Sequence, residues 1–301
     1  MQYAGAIAEG KKEKKTKAFR KNLLDEIQMG KTKIGAMPAF KGDTKYRDSA
    51  LMFFNVCYSV AIDDYTKIAS MKKNAGGSYA KIKTFITAKE WAYKKMQAAN
   101  QRLDTAAKKF TVQNINDKEG DKLDRVVAVN KHYDAVFLIY FKCYAQESGL
   151  LDAITNKSVK DYEKRKDSLL QDAQDGIVLL DSMEKHFFGR EEREFFRNDS
   201  SLIKTCRNGL KLYVTEFEKQ DNTIPDYFPQ EQDFENQRRA FGGMHTSKEG
   251  KAFDKVVEKF NPVLKKFNKA VDAIYDTREH IAKKWSFAVS VFFDKHMPSG
   301  Y

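Results

Sequence analysis

The chain has 301 residues and a formal net charge of +12, with 54 basic residues against 42 acidic ones. Apolar residues make up 42% of it, which is enough for a sizeable core and excludes an intrinsically disordered chain. Its 5 prolines and 16 glycines are few for this length, so the composition favours helices over a sheet fold. We therefore predict an all-α protein.

The positive charge is confined to the first half of the chain. Residues 1–150 carry 28 basic side chains against 16 acidic ones, whereas residues 151–301 carry 26 of each. An excess of positive charge favours encounters with nucleic acid, anionic lipid or acidic proteins, and salt screens it. A polyanion would therefore meet the first half.

Four helices are predicted in the first half. The first spans about residues 3–37, and the second begins after the turn at 41–44. The third is expected at about 79–110, and the fourth follows a loop at 114–120. Apolar residues at steps of three and four predict that one face of the second helix is buried. That stripe consists of Tyr46, Ala50, Phe53, Phe54, Cys57, Val60, Ala61, Tyr65 and Ile68.

A similar series of helices is predicted in the second half. Residues 149–158 are expected to form the seam between the halves, and a helix follows them. The polar stretch 198–201 is predicted to cap the next helix. A loop at 221–229 and a short helix then precede a long helix at 247–296. Pro262 is expected to kink or divide this long helix, because proline lacks an N–H and its ring disturbs the preceding turn.

A short sequence occurs twice, 130 positions apart. EGDKLDRVV at 119–127 returns as EGKAFDKVV at 249–257, and five of the nine positions are identical. Each copy opens a long amphipathic run. We infer an internal duplication, with an up-and-down helical bundle built from two similar halves, 1–150 and 151–301, that pack as one continuous bundle or as two.

The three cysteines do not form a metal site. Cys57, Cys143 and Cys206 are far apart in the sequence, and there is no C-x-x-C pair. Cys57 and Cys143 lie in apolar stripes, where a free cysteine behaves as a small hydrophobic residue. One disulfide with a leftover thiol stays open as an alternative.

No motif for catalysis or for cofactor binding is present. None of the five histidines has a glutamate three positions before it, and there is no H-E-x-x-H or G-x-S-x-G. Segment 5–11 has the glycine spacing of a phosphate loop, but Lys12 stands where serine or threonine is required. We therefore predict no catalytic residue, no cofactor, no metal and no enzyme. A site assembled from distant helices would leave no local motif and stays open.

A cluster of basic residues near the start of the chain is a candidate contact for a polyanion or for anionic lipid headgroups. Each basic residue near such a surface contributes about 1 kcal/mol before screening. The alternative is a solvated helix face. The cluster consists of Lys11, Lys12, Lys14, Lys15, Lys17, Arg20 and Lys21.

Pairs of adjacent aromatic residues lie outside the apolar stripes. They either close the ends of the bundle or form a partner surface. The pairs are Phe187 with Phe188, Phe195 with Phe196, and Tyr227 with Phe228.

Two groups of residues resemble a known family. They are Phe40-Lys41-Gly42-Asp43-Thr44 and the C-terminal set Asp276-Thr277-Arg278, Trp285, Ala288, Phe292 or Phe293, and His296-Met297-Pro298. With its helical organisation, the chain resembles a poorly characterised family of bacterial surface lipoproteins from spirochaetes and Bacteroidetes. The resemblance implies export and a lipid anchor on a cysteine after a signal peptide, neither of which this sequence shows. The family has no established activity, so the resemblance implies no site residues.

The first hypothesis on function is a non-enzymatic helical protein of the cell envelope or surface that interacts with another macromolecule or scaffolds its surroundings. The alternative is a polyanion or membrane-surface binding module that uses the basic first half. The candidate partners are thus an unknown macromolecule, such as a protein, and an anionic membrane surface. No transmembrane segment is predicted, because no stretch approaches 18 apolar residues. The expected location is the cell envelope or surface if a signal peptide has been removed, and the cytoplasm otherwise.

Overall fold

The chain folds into an all-α helical bundle in the computed structural model, which describes residues 13–75, 78–110, 118–187, 196, 199–220, 222–243 and 246–298. Of these residues 91% are helical and none lies in a strand, so the all-α prediction is confirmed. The helices are α1 (Glu13–Gly35), α2 (Lys45–Ser59), α3 (Tyr65–Ala75), α4 (Tyr79–Phe110), α5 (Lys118–Thr155), α6 (Val159–Ser182), α7 (Ser201–Gln220), α8 (Thr223–Ala240) and α9 (Ser247–His296). A π-helical turn, Val60–Asp64, joins α2 to α3, and a second, Met183–Phe187, follows α6.

Several predicted helix boundaries agree with the structure. The helix predicted at 79–110 is α4, and both copies of the repeated sequence lie in the opening turns of long helices, α5 and α9. The helix predicted at 3–37 is α1 from residue 13 onwards, and its earlier residues lie outside the described part of the chain. The internal duplication and the halves 1–150 and 151–301 remain predictions.

Within the stretch 149–158, predicted as the seam between the halves, α5 continues to Thr155 and α6 begins at Val159, so only residues 156–158 lie outside a helix. Gly149 lies inside α5, where a Cβ atom would come 2.9 Å from Nε of Arg165. The glycine therefore serves close side-chain packing here and does not break the helix.

Two proline predictions also differ from the structure. From Thr223 onwards the loop predicted at 221–229 is helical, and Pro225 lies in the first turn of α8, where the missing N–H of proline costs little. Of the two outcomes expected at Pro262, a divided helix is wrong, because α9 is a single helix of 50 residues, and a kink stays a prediction.

The chain forms two compact units. Unit 1 consists of Met1–Leu138 and Phe293–Tyr301, and unit 2 consists of Ile139–Phe292. Both unit boundaries lie within helices, in α5 and near the end of α9. Each unit is described separately below.

The core of unit 1 forms where α2, α3 and α4 pack together, with α1 against α2. The π-turn between α2 and α3 displaces backbone carbonyls from the regular α-helical pattern. One of them, the carbonyl of Ile62, accepts hydrogen bonds from Nη2 of Arg20 at 3.1 Å and from the hydroxyl of Thr66 at 2.6 Å. Buried core residues of unit 1 include Val60, Ala61, Ile68, Phe85, Ile86, Ala92, Val129 and Val136.

The core of unit 2 is centred on the packing of α6 against α7. Of the adjacent aromatic residues singled out in the sequence, Phe196, Tyr227 and Phe228 are buried. Phe188 and Phe195 lie outside the described residues. Buried core residues of unit 2 include Tyr162, Leu169, Leu180, Leu202, Ile203, Leu210, Tyr213, Phe217, Ile224 and Ile274.

The closest approach in this core is at Gly176 of α6. A Cβ atom there would lie 2.7 Å from Cδ1 of Leu210 and 2.9 Å from Cγ2 of Ile139. We expect Gly176→Ala to lower the free energy of unfolding by about 1–3 kcal/mol through overpacking. Gly250→Ala is the matched control, because nothing lies within 4 Å of its Cβ position and alanine is the better helix former by up to about 1 kcal/mol. Urea unfolding compares the two variants, and a stabilising Gly176→Ala would contradict the packing described here.

Candidate functional site

The basic cluster near the start of the chain is only partly described by the structure. Lys11 and Lys12 lie outside the described residues, and so does the side chain of Lys15. Lys14 and Lys17 are exposed on α1. The remaining two residues of the cluster make contacts within unit 1. The guanidinium of Arg20 binds the π-turn carbonyl of Ile62, and Nζ of Lys21 lies 2.6 Å from Oδ2 of Asp25.

Three lysines in the middle of α4 do not form a free basic surface. Lys89 is buried, Lys95 pairs with Asp64 at 2.7 Å, and Lys94 lies over the ring of Trp91 at 5.3 Å. At the end of the same helix, Lys108 and Lys109 are exposed.

An exposed turn joins α1 to α2. All eight residues from 36 to 43 are exposed. Within the turn, Phe40 and Asp43 exchange two backbone hydrogen bonds, of 3.1 and 2.9 Å. Lys41 and Gly42 between them have φ angles of +50° and +82°, the left-handed conformation that a tight turn of this kind requires. The turn is closed at its start by Nη1 of Arg47, which donates to the carbonyl of Met37 at 3.0 Å.

This turn presents large apolar side chains to solvent. Phe40 is 58% exposed and Met37 is 54% exposed. The ring of Phe40 meets the ring of Phe110, at the end of α4, edge-to-face at 5.1 Å, and Phe110 in turn stacks on Tyr46 at 5.2 Å. We call Met37, Phe40 and Phe110 the apolar tip. Grouped apolar side chains of this kind on a surface mark sites of interaction.

Basic residues flank the apolar tip in the sequence, and Nζ of Lys41 lies 5.6 Å from the centroid of the Phe40 ring. Residues 31–48 carry five basic side chains and two acidic ones, and the last turn of α4 adds two lysines directly before Phe110. The two acidic residues already have partners. Asp43 accepts the backbone N–H of Lys45 at 2.8 Å, and Asp48 accepts the hydroxyl of Thr44 and Nε of Arg47. We call the exposed lysines of this region the basic rim: Lys33, Lys41, Lys45, Lys108 and Lys109.

The sequence contains a signal for this site. Residues 41–44 indicate the turn before the second helix, and Phe40–Thr44 carries part of the resemblance to the lipoprotein family. A large aromatic residue directly before Lys-Gly-Asp, a strong turn sequence, indicates an aromatic side chain held at an exposed bend. What the sequence could not show is that Phe110, 70 positions later, lies beside it.

Unit 1 also contains a buried ion pair that sequence reasoning missed. Nζ of Lys89 lies 2.6 Å from Oδ1 of Asp134, and both side chains are 3% exposed. The ammonium also lies within about 6 Å of the rings of Phe85 and Tyr133, as the distances of 5.9 and 6.0 Å show. Such a pair is costly to desolvate and is tolerated only while both partners are present.

Unit 2 contains a buried carboxylate, Glu147, which is 0% exposed. Its Oε2 accepts the hydroxyl of Tyr213 at 3.1 Å and lies 3.4 Å from Nε of Arg278. Arg278 also donates to the hydroxyl of Tyr144 at 2.9 Å. Burial raises the pKa of Glu147 to about 7, against the smaller opposing effects of Arg278 and Tyr213. A carboxyl group that titrates near neutrality could exchange protons, but this one is enclosed by protein.

The three cysteines are free thiols. Cys143 and Cys206 are buried, and Cys57 is half-buried. Burial raises the pKa of Cys57 to about 11 and that of Cys143 to about 12, and it raises the pKa of Cys206 further. Thiols with such pKa values are poor nucleophiles at neutral pH, which agrees with a packing role.

The described residues show neither a metal site nor a membrane-spanning helix. No group of three or more His, Cys, Asp or Glu side chains placed to hold a metal ion was found among them. Within the same part of the chain, no helix has the length and apolar character needed to cross a membrane. Comparison with protein-family models, with curated proteins and with solved structures found no match to this chain.

Proposed function

We propose that this protein is a non-enzymatic interaction module that binds an anionic membrane surface through the apolar tip and the basic rim of unit 1. The observation that carries the proposal is the exposure of Met37 and Phe40 on a tight turn that is flanked in the sequence by exposed lysines. Burying one such side chain in an apolar environment contributes about 1.5–3 kcal/mol, and each rim lysine near anionic headgroups adds about 1 kcal/mol before screening. Together these contributions suffice for reversible binding.

The enclosure of the titratable groups supports a function without catalysis. Among the described residues, the carboxylate of Glu147 and the Lys89–Asp134 pair are buried charged groups, and each has partners from its own unit. Because Lys89, Asp134 and Glu147 are buried and a substrate could not reach them from solvent, their geometry fits a role in stability.

The proposal includes a location at the cell envelope or surface. The stretch that resembles the surface lipoproteins, Phe40–Thr44, is the turn of the apolar tip. An envelope location would place the tip within reach of a lipid surface. A protein partner for the same tip is the alternative, and vesicles without protein distinguish the two.

Removing the apolar tip tests the proposal. We expect Met37→Ser with Phe40→Ser to weaken binding to vesicles of phosphatidylcholine and phosphatidylserine by about tenfold or more, because the inserted apolar area is lost. Co-sedimentation with vesicles gives the affinity. Val178→Ser with Leu179→Ser, which removes two exposed apolar side chains from α6 of unit 2, is the matched control and should bind like the wild type.

Reversing the charge of the rim tests the electrostatic part. Lys41→Glu with Lys45→Glu should abolish the preference for phosphatidylserine and the dependence on salt. Circular dichroism establishes that these exposed substitutions leave the fold intact. Equal binding of both tip and rim variants and of the wild type would rule out this surface.

A further inference from the structure

Helix α8 and the first half of α9 form a hairpin in unit 2 that is held together by stacked aromatic rings. The ring centroids of Tyr227 and Phe267 are 3.8 Å apart, those of Phe234 and Phe260 are 4.1 Å apart, and those of Phe241 and Phe253 are 4.4 Å apart. The rings of each pair lie within 13° of parallel. We call these six residues the aromatic ladder.

The aromatic ladder has the spacing of a coiled coil. Its members recur every seven residues in both helices, upwards along α8 and downwards along α9, so the two helices are antiparallel and in a single register. A seven-residue apolar repeat is the pattern by which helices pack into coiled coils and bundles. The hairpin therefore presents a regular seam that further helices can join.

The seam of the hairpin is incompletely covered. Beyond the base of the hairpin, where Tyr227 and Phe228 are buried, none of the described residues 229–243 and 246–269 is buried. Five of the six ladder rings are half-buried, and so are the apolar residues of α9 between them. These half-buried residues are Phe234, Phe241, Phe253, Val256, Val257, Phe260, Val263, Leu264 and Phe267.

The two helices of the hairpin carry opposite charge along the same stretch. Residues 226–235 of α8 contain four acidic side chains and no basic one. Residues 255–269 of α9 contain five lysines and one acidic residue. The register of the ladder places these stretches side by side. Of the acidic residues, Glu231 pairs with Lys157 and Glu235 pairs with Arg238 on the same helix, and the five lysines are exposed.

We propose that two copies of the chain associate through this hairpin, forming an antiparallel four-helix bundle around the aromatic ladders with α8 of one copy against α9 of the other. In a two-fold symmetric interface each contact occurs twice, so the acidic α8 meets the basic α9 at both places. A two-fold axis parallel to the helices gives this arrangement, whereas a two-fold axis perpendicular to them would place α8 against α8 and α9 against α9 and so oppose like charges. The second copy is thus the occupant whose charge complements both flanks at once, and it covers the half-buried rings.

Charge reversal on the full chain tests this proposal. One variant carries Asp233→Lys with Glu235→Lys on α8, and the other carries Lys259→Glu with Lys266→Glu on α9. We expect the wild type to form a dimer by sedimentation equilibrium, and each variant alone to dimerise at least about tenfold more weakly. Lys160→Glu with Lys164→Glu on the exposed face of α6 is the matched control and should dimerise like the wild type.

Mixing the two variants gives the decisive comparison. In a mixed dimer both α8 to α9 contacts again join opposite charges, so the mixture should recover dimerisation although neither variant does so alone. Circular dichroism shows whether each variant stays folded. A wild type that is monomeric at all accessible concentrations would overturn the proposal, and so would a mixture in which dimerisation does not recover.

Discussion

Replacing Lys89 with methionine is expected to lower the free energy of unfolding by about 3–5 kcal/mol, the cost of leaving one member of a buried ion pair without its partner. Lys89 and Asp134 are both 3% exposed and lie 2.6 Å apart, so water cannot take the place of the missing ammonium. Because the stability of a whole domain is only about 5–15 kcal/mol, this one substitution should bring unit 1 close to unfolding.

The double variant Lys89→Met with Asp134→Leu is the control for Lys89→Met. It removes both charges and keeps apolar volume, so most of the lost stability should return. Urea unfolding of the two variants provides the comparison. If the single variant were no less stable than the double one, the buried pair would not have the strength assigned to it.

Replacing Glu147 with glutamine is expected to remove a pH dependence of stability from unit 2. Burial raises the folded-state pKa of Glu147 from 4.5 to about 7, so between these values the folded chain binds more protons than the unfolded one. The free energy of unfolding should therefore fall as pH rises through this range, by about 3 kcal/mol in total. Above pH 7 this contribution is fully lost, and below 4.5 it is fully present.

Urea unfolding at a series of pH values measures this effect. The fluorescence of Trp285 reports on unit 2, because its ring stacks on Tyr140 at 4.8 Å. Nearby Tyr213 and Cys143 have pKa values raised far above neutrality, so they do not titrate in the same window. Glu218→Gln, at an exposed position of α7, is the control and should keep the wild-type dependence. An equal slope in Glu147→Gln would show that another group is responsible.

The parts of the fold that depend on local patterns could be predicted from the sequence. Apolar residues at steps of three and four predicted the buried face that runs from Ala50 in α2 to Ile68 in α3, and the repeated sequence marked the starts of α5 and α9. The breaks expected at glycine and proline differ from the structure where tertiary packing outweighs the local preference of these residues. Gly149 lies within a helix, close to Arg165, and Pro225 and Pro262 also lie inside helices.

Contacts between residues far apart in the sequence could not be predicted in the same way. Lys89 and its partner Asp134 are 45 positions apart, so no local pattern indicates the buried ion pair. Glu147 and Arg278 are still farther apart. In the sequence, the α8 side of the aromatic ladder consists of three aromatic residues at intervals of seven. The prediction of a loop at 221–229 separated Tyr227 from the other two.

Vesicle binding by the wild-type chain is the most direct test of the proposal that unit 1 binds an anionic membrane surface. Vesicles of phosphatidylcholine with phosphatidylserine are compared with phosphatidylcholine alone and with single-stranded RNA in solution, each at low and at high salt. We expect binding to the anionic vesicles that weakens as the salt concentration rises. We expect little binding to RNA, because the apolar tip contributes to affinity only where it can enter a lipid surface. Binding to RNA as strong as to the anionic vesicles, or no binding to those vesicles, would contradict the proposal.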